Sequence, residues 1–122
     1  MLDILQVLSF IGRVLFGLYF VYSGYNHFKN AQHLTHYAKS KDVPSPSLAV
    51  MITGVLLILG GVGFFLNLMI QQASIVLLFF MVPTTFMMHA FWKEKDPAVR
   101  ANEQISFFKN CALIGALLIL LN

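Results

Sequence analysis

The chain has 122 residues, enough for one domain, and 58% of them are hydrophobic while only 11% are charged. A soluble domain is about half apolar and about a quarter charged, so this composition excludes an ordinary water-soluble globule. The net charge of +3 sits in loops, apart from Arg13 deep in one apolar run and Lys109 near the edge of another, so no basic face for a nucleic acid is in view.

Four apolar stretches come close to the roughly 20 residues that cross a bilayer core as helix. They are Ile4 to Tyr22 (running on to about residue 25), Leu48 to Leu66, Ala73 to Trp92, and Ile105 to Leu121. They are long, continuous and do not alternate, so strands are excluded. The expected fold is all-α: one antiparallel four-transmembrane-helix bundle covering residues 1–122. The N-terminus lacks a basic leader, and Arg13 interrupts its apolar stretch, so it does not read as a cleaved signal.

In the first stretch, Arg13 lies nine residues in, roughly 13 Å deep at 1.5 Å per residue. A central arginine costs about 2.5–3.5 kcal/mol on insertion scales. Pro83 in the third stretch cannot donate to the carbonyl of Phe79, which lies at a similar depth. Arg13 is therefore expected to donate to that freed carbonyl and to a polar ligand or water between helices. The alternative is that it snorkels out to lipid phosphates.

The loop after the first stretch carries Lys29, Lys39, Lys41 and Asp42. Leu34, Tyr37, Ala38 and Lys41 fall at helical spacing, which predicts a short helix on the membrane surface. Val43-Pro44-Ser45-Pro46-Ser47 ends it and sets up the next helix. Gly17 and Gly24 are seven apart, as are Gly54 and Gly61. Cys111 with Gly115 and Ala112 with Ala116 are small pairs of the kind that let helices approach in lipid. Cys111 is the one cysteine, so the chain has no disulfide and no dithiol chemistry of its own.

The third loop holds Lys93, Lys95 and Arg100, whereas the second loop and both termini hold no lysine or arginine. The positive-inside rule then puts loops 23–47 and 93–104 in the cytoplasm and both termini outside, in a multi-pass protein of the cell (inner) membrane. With that orientation, Tyr22, Ser23, Asn26 and His27 meet His89, Trp92, Lys109 and Asn110 at one depth. His89 and Trp92 share a face at spacing i, i+3. The cluster reads as a pocket for a polar head group, a quinone ring or a protein partner, or else as interfacial anchors. His27 and His89 as haem ligands, and His33 with His36 as metal ligands, are two further readings.

The residues also resemble the DoxX family of small four-helix membrane proteins. The first helix carries Gly12-Arg13-Val14-Leu15-Phe16-Gly17, then Ser23-Gly24 and His27-Phe28. Val43-Pro44 and Gly54-Val55-Leu56-Leu57-Ile58-Leu59-Gly60 follow. His89-Ala90-Phe91-Trp92, Asp96-Pro97, Phe108-Lys109-Asn110 and Gly115 complete the pattern. Many members have a glutamate early in the second helix, where this chain reads Ala49-Val50-Met51-Ile52-Thr53. The resemblance implies a redox setting, since some relatives are subunits of a thiosulfate:quinone oxidoreductase or associate with redox enzymes. It implies a quinone before a haem as cofactor, and a soluble or membrane redox enzyme, the bilayer or a second copy of the chain as partners. A lipid-binding or scaffolding module without redox role is the alternative function. Arg13, Tyr22, Ser23, His27, His89, Trp92, Lys109 and Asn110 are the candidate ligand-binding residues.

Overall fold

A computed structural model describes Met1 and residues 3–122, and the described residues are helical without strands. Five helices follow in order: α1 (Ile4–Lys29), α2 (Ala31–Ser40), α3 (Pro46–Leu66), α4 (Ile70–Met88) and α5 (Pro97–Ile119). A 3-10 turn, Phe91–Lys93, lies between the last two. Three segments are long and apolar enough to cross a membrane: Ile4–Lys29, Pro46–Leu66 and Ile70–Lys93.

Local chemistry sets the boundaries. Asp3 caps α1 by accepting from the Gln6 N–H at 2.8 Å, and the Gln6 side chain accepts from the Asp3 N–H in return. This reciprocal pairing satisfies two amide donors that a helix start leaves orphaned. Asn67 closes α3 in the left-handed region, at φ 55°, which asparagine tolerates better than most residues. Asp96 caps α5 through the Val99 N–H, and Pro97 occupies the first turn, where its missing N–H costs nothing.

The fourth apolar stretch is thus the second part of a longer helix, which begins at Pro97 rather than near Ile105. Hydropathy does not find its first two turns because they carry Arg100, Asn102, Glu103 and Gln104. The third stretch ends sooner than expected. Its helix stops at Met88, and His89 is the capping residue.

Helices α1 and α3 run antiparallel and meet through glycine. A Cβ placed on Gly17 would sit 2.6 Å from the Gly61 carbonyl oxygen, and one on Gly24 would sit 2.6 Å from that of Gly54. The two seven-residue glycine spacings are therefore two halves of one contact, which only bare backbone allows. The small pair at Gly115 does no such work, because a Cβ there would meet nothing within 4 Å.

From α1 the packing passes to α3, then to α4, then to α5, while α2 lies on α1 and α3. Phe20, Leu57, Phe64, Leu77 and Leu117 fill the centre with almost no exposure. The side between α1 and α5 is left open to close backbone approach. Two cavities border both α1 and α5, and Phe16, Phe20 and Phe64 form a wall between them with edge-on ring contacts at 5.0 Å.

Candidate functional site

The inner cavity has a volume of about 480 Å³ and draws on every helix. Its apolar part is lined by Leu57, Phe79, Phe80, Met81, Met87 and Met88. Its polar part gathers Tyr19, Ser23 and His27 from α1, Thr53 from α3, and Lys109 and Asn110 from α5, with His89 beside them. Leu34, Tyr37 and Ala38 of α2 cover the loop-side end. Such a mix of apolar walls and few convergent polar groups is typical of a small-molecule site.

His27 is held in one orientation. Its Nδ1 lies 3.0 Å from the Val50 carbonyl oxygen. A carbonyl oxygen only accepts, so Nδ1 must carry the hydrogen. Thr53 Oγ1 lies 3.1 Å from the same nitrogen and spends its own hydrogen on the Ala49 carbonyl at 2.6 Å. With the hydrogen on Nδ1, Nε2 is the ring nitrogen left for a cavity occupant, as an acceptor in the neutral ring. Phe80 packs edge-on to the ring at 5.9 Å.

On the open side, Lys109 Nζ reaches Tyr19 Oη at 3.4 Å and lies 5.9 Å from the centre of its ring. This weak bridge links α5 to α1. Asn110, next along α5, is 7% exposed, and its side chain makes no hydrogen bond among the described residues. It borders the cavity with its amide uncommitted, so Asn110 can contact a polar occupant.

Above the cavity lies a charged cluster that joins three distant segments. Tyr37 Oη donates to Glu103 Oε1 at 2.8 Å. Lys41 Nζ donates to Glu103 Oε2 at 3.0 Å and to Glu94 Oε1 at 2.8 Å. Burial alone would raise the Glu103 carboxyl, but the hydrogen bonds from Lys41 and Tyr37 hold it below the usual carboxylate range. Burial likewise opposes charge on Lys41, and its two carboxylate partners outweigh that and push it up. The Tyr37 hydroxyl is pushed well above its ordinary value by burial and by the charge of Glu103. His89 Nδ1 is buried 3.6 Å from Glu103 Oε2, beyond hydrogen-bond length, and has no partner.

Five of the eight candidate residues therefore surround one cavity: Ser23, His27, His89, Lys109 and Asn110. Tyr22 faces outward and is 69% exposed. Trp92 is not on a shared helical face with His89, because the helix ends between them. It packs instead in an aromatic group with Phe86, Phe91 and Phe107. Arg13 does not reach Phe79. Its helix and that of Phe79 are not neighbours in the packing order, and Arg13 lines the outer cavity while Phe79 lines the inner one.

Glu103, Glu94, Tyr37 and Lys41 escape the sequence reading as site residues. The i, i+4 spacing of Tyr37 and Lys41 marks a common face, and Asp96-Pro97 marks the start of the helix that brings Glu103 to it.

The DoxX family model matches residues 8–90, about two thirds of the chain. The chain belongs to the DoxX family and is a membrane protein with an all-helical fold. The match spans Ser23, His27 and His89 but stops before Glu103, Lys109 and Asn110, so one wall of the cavity comes from outside the matched segment. No significant match is found among curated proteins or among solved structures.

Proposed function

We propose that the four apolar stretches cross the inner membrane as a four-helix bundle, with loops 23–47 and 93–104 in the cytoplasm. In it the inner cavity holds the head of a quinone-like molecule for a redox system. The single observation behind this reading is one apolar cavity whose polar groups converge from α1, α3 and α5. A quinone needs donors for two carbonyl oxygens, an apolar slot for its ring and a side entrance for its tail. Lys109, Asn110 and Ser23 supply donors, Phe80 and Met81 supply the slot, and His27 Nε2 supplies an acceptor for the hydroxyl of the reduced form.

The chain holds no thiol pair, and no metal-ligating cluster occurs among the described residues. Its role is then to bind and present the quinone, while a soluble or membrane oxidoreductase docked on the loop side supplies the electrons. The test is an absorption spectrum and native mass spectrum of protein purified in mild detergent. The expected result is a bound species of quinone mass and a spectrum without haem bands. A protein carrying only phospholipid would favour the second reading, a lipid-binding or scaffolding module, for which the same open side is the supporting observation.

A further inference from the structure

The outer cavity carries a separate inference, independent of the quinone reading. It is a crevice of about 900 Å³ at the end of the bundle where both termini lie. Its apolar walls come from Leu5, Phe10 and Phe16 of α1, Phe64 of α3 and Leu120 after α5. Arg13 stands on one wall, with Gln6 and Asn67 nearby.

Arg13 is half-buried, and its guanidinium makes no hydrogen bond or ion pair with any described residue. The Phe10 ring lies 5.8 Å from the guanidinium carbon. Phe10 precedes Arg13 by three residues. The side chain therefore leans back along α1, about one turn or roughly 5 Å nearer the helix start than its own Cα. That carries the guanidinium toward the end of the bundle from which a headgroup would reach it.

A second feature points the same way. The first turn of α4 opens beside the crevice at Ile70, and its capping residue, Met69, offers no side-chain acceptor to the orphaned amides. A helix start of this kind favours negative charge. The acid in the crevice, Asp3, is already engaged as the α1 cap and lies outside ion-pair distance of Arg13.

We infer that this crevice is a binding site for the phosphate of an anionic phospholipid. Arg13 pairs with the phosphate, and the acyl chains lie along Phe10, Phe16 and Phe64 in the open side between α1 and α5. The guanidinium fork matches phosphate in two-point geometry, which a lysine does not.

The test titrates delipidated full-length protein in neutral detergent with phosphatidylglycerol or phosphatidylcholine of the same acyl chains, and counts bound lipid by native mass spectrometry. One phosphatidylglycerol per chain is expected to bind at least about tenfold more tightly than phosphatidylcholine, whose own choline cation neutralises the same phosphodiester and repels Arg13. Arg13→Gln is expected to abolish the preference and Arg13→Lys to keep part of it, with melting in phosphatidylcholine micelles unchanged for both. Equal binding of the two lipids by the wild type overturns the assignment, whether or not the variants fold. So does a phosphatidylglycerol preference that survives Arg13→Gln. Displacement of the lipid by millimolar inorganic phosphate would identify a soluble-anion site and overturn it as well.

Discussion

Tyr37 and Glu103 are 66 positions apart in sequence, yet the tyrosine hydroxyl donates to the glutamate at 2.8 Å. This contact fastens α2 to α5, two helices with little backbone contact of their own. Leu34, Tyr37 and Ala38 of α2 line the loop-side end of the inner cavity, so the pair also holds that wall in place.

Tyr37→Phe is expected to lower stability by about 1.5–3 kcal/mol, the range for a hydrogen bond to a charged acceptor. Glu103→Gln is expected to cost more, because it also leaves Lys41 with Glu94 as its one carboxylate partner. Thermal melting in detergent measures both. A Glu103→Gln variant as stable as wild type would show that the cluster does not hold α2.

The same cluster sets a pH dependence. Glu103 is held low in the folded chain. Its contribution is complete above its unfolded value, about 4.3, and is lost as pH falls through the lower folded value. Lys41 is held high. Its contribution is complete below about 10.4 and is lost as pH rises through the higher folded value. The part of the melting temperature that the cluster supplies, read as wild type minus Glu103→Gln, should therefore be flat between pH 6 and 9 (a range of about three units inside both limits) and fall at each extreme. Tyr37→Phe and Glu103→Gln together should flatten the acid limb.

Glycine substitutions separate contact from spacing. Gly24→Ala puts a methyl 2.6 Å from a backbone oxygen and must push α1 off α3, at about 1–3 kcal/mol. Gly115→Ala enters open space in a helix and should be neutral or stabilising by up to about 1 kcal/mol. Both are read from melting temperatures. Equal losses at the two sites would contradict the α1–α3 packing.

These contrasts show what the sequence carries. Long apolar stretches are local properties, and each coincides with a helix. The seven-residue spacing of Gly17 with Gly24 and of Gly54 with Gly61 foretells a close approach, since nothing but a missing side chain explains it. Gly115, four residues after Cys111 in a small pair, makes no such approach, so small residues at helical spacing do not by themselves name a partner. The start of α5 is written in Asp96-Pro97, but its polar first turns hide it from hydropathy. His89 and Trp92 part company because the helix ends at Met88, a boundary that no residue there announces. The Glu103 cluster depends on contacts across 53 to 66 positions, and such pairings have no local signature.

Asn110→Leu tests the cavity from the other direction. Asn110 is 7% exposed, makes no side-chain hydrogen bond among the described residues and borders the cavity, and leucine has a similar size, so the substitution should leave stability unchanged or raise it by up to about 1 kcal/mol. It should also remove a ligand contact. A stabilised variant that no longer retains ligand is the expected pair of results, read by melting and by mass spectrometry of bound species.

The most direct measurement is organic extraction of purified wild-type and Asn110→Leu protein, with quinone counted per chain by mass spectrometry. The account predicts quinone approaching one per wild-type chain and little in the variant at equal fold. Quinone absent from wild type, or retained equally by both, would contradict the assignment of the inner cavity.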